Sequence, residues 1–316
     1  MADVIKTATR DAYGKALVEL GEKDESLIVM DADLAAATKT GAFKKAFPER
    51  FFDAGIAEAN LVGVAAGLAT TGHTVFASSF AMFLAGRAFE QVRNTIGYPH
   101  LNVKLGATHA GISVGEDGAT HQCNEDIATM RSIPGMTIIN PADAVEARAA
   151  VEAAILFNGP VYLRFGRLAT PVLFDKETYK FELGKGIKMA DGKDVTIIAT
   201  GLTVAMALDA RELLAAEGIS ARVINIHTIK PLDEEIVINA AKETGAIVVA
   251  EEHSIIGGLG SAVCECLAGT VPTPVVRLGT NDVFGKSGKA TVLLEEFGFT
   301  PANIAAKAKA AIALKK

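Results

Sequence analysis

The stretch EANLVGVAAGLATTGHTVFASSF, residues 58–80, has only one formally charged side chain, that of Glu58. It belongs to the longest run without Asp, Glu, Lys or Arg, residues 59–86. A membrane span needs about 20 apolar residues, but the polar sequence TTGHT at 70–74 interrupts this run. The pattern therefore predicts a helix, a turn and a strand, all buried inside a folded protein.

Helix and strand patterns alternate outward from this stretch along the whole chain. The predicted helices are 6–21, 58–70, 83–96, 142–156, 204–217, 233–244, 260–267 and 301–316. The predicted strands are 26–34, 74–79, 101–107, 136–139, 161–165, 194–202, 221–229, 246–253 and 272–280. Strands separated by helices of about 10–15 residues indicate βαβ units and mostly parallel sheets.

The length of 316 residues suits two α/β domains of about 150 residues each. The stretch 168–193 is denser in charge and less periodic than its flanks, which indicates a boundary. We therefore predict an α/β protein of two domains, each a mostly parallel sheet flanked by helices. The predicted parts are a first domain at 1–170, a linker at 171–190 and a second domain at 191–316.

The composition limits the kinds of partner and the cellular compartment that we expect for this protein. Asp and Glu number 37 against 31 Lys and Arg, a net charge of −6, so no general attraction to nucleic acid or anionic membranes is expected. Three cysteines, Cys123, Cys264 and Cys266, form no disulfide framework, which indicates a reducing compartment. The first 20 residues lack the apolar core of a signal peptide. We expect a soluble cytoplasmic protein.

The segment DAGIAEAN, residues 53–60, places Glu58 at the start of a helix that is otherwise almost uncharged. The simplest interpretation is a carboxylate favoured by the helix dipole. The small residues that follow, Gly63 and Gly67 among them, would allow close helix contact across a subunit interface. A carboxylate buried there would be costly without a partner, which makes Glu58 a candidate functional residue.

A second cluster, FASSFAMFLAGRAFEQ at 76–91, concentrates phenylalanines in a chain that is only 6% aromatic. Core packing would explain it, and so would an aromatic wall that stacks on a flat heterocycle. The third cluster, THAGISVGEDGATHQ at 108–122, has neither helical nor strand periodicity. Ordered polar loops of this length are usually functional, although a plain loop is possible. His109 and His121, 12 residues apart, match no standard zinc spacing, so we expect no metal site.

In this order the three clusters resemble the pyrimidine-binding domain of thiamine diphosphate enzymes of the transketolase type. From Arg10 onward, the chain resembles the C-terminal half of transketolase, and 1-deoxy-xylulose-5-phosphate synthase is a related enzyme. The motifs that carry this likeness are IAEAN (56–60), SFAMF (79–83), GEDGATHQ (115–122), LRFGR (163–167), TIKPLD (228–233) and EEHSIIGGLG (251–260). The resemblance gives the C-terminal domain a structural and assembly role.

The resemblance implies a catalytic set of Glu58, His109 and His121. Glu58 matches the family glutamate that hydrogen-bonds N1′ of the cofactor aminopyrimidine, and Phe80 and Phe83 match the aromatic pair around that ring. A third family aromatic corresponds to Gly86, and Arg87 is similar to the arginine of the synthase. The implied cofactor-binding residues are therefore Glu58, Phe80, Phe83 and Arg87, with Gly86 or Arg87 facing the cofactor.

The resemblance also implies a substrate-binding set, which comprises Arg10, His109, Asp117, His121 and Arg167. In the family the aspartate and histidines hold sugar hydroxyls and phosphate, and the two arginines bind phosphate, for which guanidinium geometry is suited. Arg164 would replace Arg167 if the register slips. A family serine falls near Ala36 or Ala37, so either Thr38 covers this loss or the substrate differs.

The family holds the cofactor diphosphate through Mg²⁺ with a Gly-Asp-Gly motif, and this sequence has no such tripeptide. Diphosphate needs a divalent ion or dense donors to leave water. The resemblance therefore implies a split enzyme: an N-terminal partner subunit holds the diphosphate and Mg²⁺, and an α2β2 heterotetramer forms. This chain itself then has no metal ligands.

The implied reaction transfers a two-carbon ketol unit from a ketose phosphate to an aldose phosphate, as in the pentose phosphate pathway. The alternatives are the β subunit of a 2-oxo-acid dehydrogenase E1, an enzyme like the deoxyxylulose-phosphate synthase, and a scaffold subunit without chemistry. GEDGATHQ and the phosphate arginines favour the transketolase, and the intact set of Glu58, His109, Asp117 and His121 argues against a scaffold.

Overall fold

The computed structural model describes residues 5–315, which form two mostly parallel sheets, a two-stranded ribbon and flanking helices. The strands are β1 (Lys6–Ala8), β2 (Leu27–Asp31), β3 (Phe51–Asp53), β4 (Thr74–Phe80), β5 (Val103–Thr108), β6 (Thr137–Ile139), β7 (Val161–Arg164), β8 (Ala169–Pro171), β9 (Ile187–Ala190), β10 (Val195–Ala199), β11 (Ala221–Asn225), β12 (Thr228–Lys230), β13 (Ile247–Ser254) and β14 (Val275–Thr280). The α/β architecture predicted from the sequence is confirmed.

The helices lie between these strands in the alternation that the sequence predicts. They are α1 (Thr9–Gly21), α2 (Ala35–Thr38), α3 (Gly41–Ala46), α4 (Glu58–Ala69), α5 (Phe89–Gln91), α6 (Asp126–Arg131), α7 (Ala144–Leu156), α8 (Thr203–Ala216), α9 (Glu234–Thr244), α10 (Leu259–Ala268), α11 (Ala290–Glu296) and α12 (Pro301–Ala313). Residues 1–4 and 316, which the predicted first domain and last helix include, lie outside the described residues. Within residues 5–315 no helix is both long enough and apolar enough to cross a membrane.

The first sheet has the order β12-β6-β7-β5-β4-β2-β3, and all its neighbours are parallel except β12 and β6. Every residue of β4 is buried, as expected of a central strand with helices on both faces. The stretch 58–80 therefore folds into α4, a turn and β4, as predicted. Only β4 is buried throughout, because one face of α4, with Asn60, Gly63 and Val64, and the turn at 70–72 are exposed. Because the strands are parallel, their carboxyl ends lie at one edge of the sheet, where ligands bind in such folds.

The second sheet has the order β14-β13-β10-β11-β9, with only β9 antiparallel. The stretch predicted as a linker, residues 171–190, packs against the first domain and ends in β9. There Tyr179 donates a hydrogen bond to Glu146 Oε1 at 2.6 Å, and Asn225 of β11 donates to the same oxygen at 2.8 Å. Burial raises the pKa of Glu146 to about 7. This carboxyl group thus joins both sheets and the segment between them.

Two local predictions were wrong. Residues 6–8 begin no helix, because their backbone pairs with β8 as an antiparallel ribbon, and α1 begins only at Thr9. The predicted helix at 83–96 is wound more widely, with π turns at Phe83–Arg87 and Val92–Gly97 on either side of α5. Side-chain periodicity cannot reveal a strand partner more than 150 residues away, nor can it separate α from π winding.

Candidate active site

Glu58 is the first residue of α4, and it is only 1% exposed. Burial of an ionised carboxylate is costly unless it is paired and hydrogen-bonded. Here Arg87 is the partner, since its Nη1 lies 3.1 Å from Glu58 Oε1 and 3.0 Å from Oε2. The carboxylate predicted to be the central residue is therefore buried and held by a cation from the neighbouring π turn.

Arg87 also contacts the aromatic part of the site, because its guanidinium lies 4.6 Å from the centre of the Phe83 ring. Gly86, at the position of the third family aromatic, offers no side chain to this surface. A Cβ atom there would lie 2.3 Å from Cε of Met82, so a larger residue would displace that side chain. Arg87, not Gly86, thus joins Glu58 to Phe83.

Phe80, Phe83, His109 and His121 form one aromatic surface at the carboxyl ends of β4 and β5. Phe80 pairs in register with Thr108, the residue before His109, which explains why the two rings stack with centres 3.8 Å apart. The rings of Phe80 and Phe83 are 5.8 Å apart and nearly parallel. His121 approaches Phe83 edge-on at 5.4 Å. Residues 41 positions apart in the sequence thus meet on one surface.

The hydrogen bonds of His109 define its protonation state. Arg10 Nη1 donates to His109 Nε2 at 2.8 Å, so this nitrogen is an acceptor and the proton lies on Nδ1, which donates to Thr108 Oγ1 at 2.9 Å. Burial, followed by the charges of Arg10 and Arg167, lowers the pKa of His109 to about 3. His109 is therefore a neutral ring that points its acceptor nitrogen at a cation.

Arg167 lies beside the loop that carries Asp117. Its guanidinium donates to the carbonyl of Val114 and lies 3.3 Å from Glu116 Oε2 and 3.9 Å from Asp117 Oδ2. Arg164, the alternative phosphate ligand, is 3% exposed, and its Nε donates to the buried Asp126 Oδ2 at 2.8 Å. Because this ion pair occupies Arg164, Arg167 rather than Arg164 is available at the site.

The segment that carries the missing family serine lies against Arg10, whose Nη1 donates to the carbonyl of Ala37 at 3.1 Å. Thr38 does not replace the serine here, because its buried hydroxyl donates to Asp31 Oδ2 at 2.7 Å. Sequence reasoning missed Lys39, which lies 3.4 Å from Asp11 and whose charge helps to lower the pKa of His109. The left-handed backbone of Lys39, with φ 74°, turns this residue back toward α1. A left-handed conformation is uncommon for lysine, so the sequence does not predict it.

All nine predicted site residues thus lie at this edge of the first sheet, either in direct contact or through shared neighbours. Among residues 5–315 no group of three or more His, Cys, Asp or Glu side chains is arranged to hold a metal ion. The assembled groups are a buried carboxylate beside flat rings, and three cations, Arg10, Lys39 and Arg167, around a neutral histidine.

Known families carry the same two parts in the same order. Residues 5–172 match the transketolase pyrimidine-binding domain, and residues 184–304 match the transketolase C-terminal domain. The chain therefore belongs to the transketolase family, a class of thiamine-dependent transferases.

Two of its relatives are of nearly the same length as this chain. A Methanocaldococcus jannaschii protein, provisionally described as a transketolase C-terminal section, is 52% identical over 94% of this chain and 93% of its own length. The 6-deoxy-6-sulfo-D-fructose transketolase subunit SqwH of Clostridium sp. (strain MSTE9) is 46% identical over 93% of this chain and 91% of its own. This chain is thus an enzyme subunit of the transketolase type, and it corresponds to the C-terminal section of a split transketolase.

A solved structure described as a split-gene transketolase in an inactive β4 tetramer has a TM-score of 0.90 and 52% identity, and the match covers 98% of this chain and 99% of that one. The 1-deoxy-D-xylulose-5-phosphate synthase 1 of Geobacter sulfurreducens is also a relative, 40% identical over 96% of this chain and 48% of its own length. These relatives favour the transketolase assignment over the E1 β subunit.

The state of His109 leads to a pH prediction. Because its pKa in the folded chain lies below the ordinary value of 6.5, the unfolded chain binds the extra proton first. His109 therefore contributes stability above about pH 6.5 that is lost as the pH falls toward about 3. An NMR titration of the ring, assigned with His109→Gln, should show no protonation between about pH 5 and 8. A midpoint inside that range would contradict this assignment.

Proposed function

We propose that this chain, together with an N-terminal partner subunit, transfers a two-carbon ketol unit from a ketose phosphate to an aldose phosphate. The observation that carries the proposal is the buried Glu58 carboxylate, which Arg87 connects to the ring surface of Phe80 and Phe83. In a chain of this family, that combination supports a seat for the aminopyrimidine of thiamine diphosphate.

The residues present fit that cofactor fragment. Glu58 offers buried acceptor oxygens for a ring nitrogen, and Phe80 and Phe83 offer flat apolar faces for stacking. When bound, thiamine diphosphate supplies a nucleophilic carbon that ordinary side chains lack. Glu58 would hold or share a proton at the ring nitrogen, and Arg87, which is half exposed, would balance its charge.

The surrounding cations support a phosphorylated substrate. The charges of Arg10, Lys39 and Arg167 all help to lower the pKa of His109, which shows that the three cations are grouped around it. The guanidinium groups of the two arginines have the geometry to bind phosphate oxygens. Asp117, exposed on its loop, and His121, on the ring surface, would hold sugar hydroxyls. We assign His109 and His121 to the catalytic set because both lie against Phe80.

The diphosphate end of the cofactor requires a second chain. The sequence has no Gly-Asp-Gly motif, and phosphate oxygens with their Mg²⁺ need dedicated ligands. The structural neighbour described as an inactive β4 tetramer supports the idea that such subunits are inactive alone. We infer an α2β2 assembly in which the partner holds Mg²⁺, working in the pentose phosphate pathway. The three free cysteines of this chain support a cytoplasmic location.

Reconstitution tests this function. The chain alone should show no turnover and no tight binding of thiamine diphosphate, whereas co-purification with the subunit encoded beside it should restore both. Calorimetry gives the cofactor affinity, and a coupled assay with xylulose 5-phosphate and an aldose phosphate gives the activity. Micromolar cofactor affinity of the chain alone would argue against the split site. Preference for pyruvate as the donor would favour an E1 or synthase activity.

Replacement of Glu58 tests the central residue. Glu58→Gln keeps the shape but loses the ionisable carboxyl, so kcat of the reconstituted complex should fall by about 100-fold or more. Glu212→Gln, which alters a side chain 72% exposed in the second domain, is the matched control and should leave kcat unchanged. If Glu58→Gln retained near-wild-type kcat, Glu58 would have no role in proton transfer.

Replacement of the two arginines tests the substrate class. Arg10→Ala and Arg167→Ala should each raise KM for a sugar phosphate about tenfold or more, because a charge-assisted hydrogen bond is lost. KM for the same sugar without phosphate should change by less than about twofold in each variant. Equal effects on both substrates would show that the arginines do not recognise the phosphate.

A further inference from the structure

The loop that carries Asp117 and His121, residues 111–122, is here named the catalytic loop, and it lies against the second domain. Its three glycines, Gly111, Gly115 and Gly118, have φ angles of 80°, 86° and 76°, a conformation that other residues rarely adopt. A Cβ atom on Gly111 would lie 2.4 Å from Cδ of Glu252, and one on Gly118 would lie 2.4 Å from Oγ of Ser287. Gly111 and Gly118 therefore lie directly against residues of the second domain.

The contact on the second domain comes largely from residues 285–290, here named the covering segment. The space beside Gly115 is closed by the carbonyl of Gly288, 3.3 Å from a Cβ placed there. The helix α11, which begins at the end of this segment, packs against the middle of the catalytic loop. The covering segment thus forms one wall of the loop.

Gln122 connects the two segments. Its side chain is 3% exposed, and Nε2 donates toward the carbonyls of Ile112 at 3.1 Å, Gly115 at 3.3 Å and Lys286 at 3.0 Å. These three acceptors require the NH₂ group to face them, which defines the orientation of the amide. Gln122, at the end of the catalytic loop, therefore connects the beginning and the middle of the loop with each other. The same side chain also connects the loop with the covering segment.

A second contact holds the start of the loop. Glu252, buried on β13, accepts the backbone N–H of Ser113 through Oε1 at 2.5 Å. Its own carbonyl accepts a hydrogen bond from Arg164 at 2.9 Å, so β13 is joined to β7 at the same place. Burial raises the pKa of Glu252 to about 7. Both ends of the loop thus depend on side-chain hydrogen bonds that cross between the domains.

We propose that the second domain positions Asp117 and His121 for substrate binding, through Gln122 and Glu252. This role goes beyond assembly of the subunits. It rests on the proposed function, because holding the loop in place would preorganise the site that binds the substrate. Gln122 is a positioning residue: its side-chain amide donates to backbone carbonyls, and it acts through the loop that holds Asp117 and His121.

Two variants weaken the connection from opposite sides. Gln122→Met keeps the volume of the side chain but removes its donors. Gly285→Ala leaves the catalytic loop unaltered and adds a Cβ 1.8 Å from Gln122 Oε1, which displaces that side chain from outside. The control is Glu265→Ala, which removes another contact between the domains, the 2.6 Å ion pair with Arg131 on α6.

The measurements use the complex reconstituted with the N-terminal subunit. In Gln122→Met and Gly285→Ala, kcat/KM for the aldose phosphate should fall about tenfold, mainly through KM, with thiamine diphosphate affinity unchanged. Hydrogen exchange of the amides of residues 112–118 should become about tenfold faster or more. Glu265→Ala should leave both quantities within about twofold of wild type.

The outcomes separate the two proposals. Unchanged loop exchange and KM in both Gln122→Met and Gly285→Ala would overturn the positioning role, as would equal losses in Glu265→Ala. If the wild-type complex lacked ketol transfer, the proposed function would fail, and hydrogen exchange would still decide whether the second domain holds the loop.

Discussion

The site depends on the burial of one carboxylate. Glu58 begins α4 with 1% exposure, and a charge in that position is tolerated only with a partner. Arg87 is that partner, and it also lies over Phe83, so the ion pair places the carboxylate beside the ring surface. The π turn at Phe83–Arg87 brings the guanidinium to this place. Arg87 thus both compensates the charge of Glu58 and holds this carboxylate beside the aromatic surface.

Parallel pairing of the strands supplies the rest of the arrangement. Since β4 and β5 run in the same direction, Phe80 and Thr108 are neighbours, and His109 follows directly against the Phe80 ring. Arg10, near the start of α1, then reaches His109 Nε2, and burial together with the cations around this ring lowers its pKa and keeps it neutral. The meeting of these groups at one edge follows from the register of two buried strands, because parallel pairing brings their carboxyl ends together.

Much of the site could be predicted, because its residues stand in motifs whose order is characteristic of the family. Glu58, Phe80, Phe83, His109, Asp117 and His121 all lie in the three clusters at 53–60, 76–91 and 108–122, and the structure brings them to one edge of the sheet. The choices that required tertiary structure were those that depend on direction. Arg164 and Arg167 are only three residues apart, yet one is buried against Asp126 and the other faces the catalytic loop. The same holds for Thr38, whose hydroxyl turns inward, and for Lys39 beside it.

The sequence alone determined the α/β class, the helix-turn-strand that begins at Glu58 and the family, because periodicity and motif order are local properties of the chain. Only the tertiary structure decided that β1 pairs with β8, that Arg87 rather than Gly86 meets the carboxylate, and that the second domain lines the catalytic loop. Each of these depends on two segments distant in sequence, and their contact arises from packing that no local pattern records.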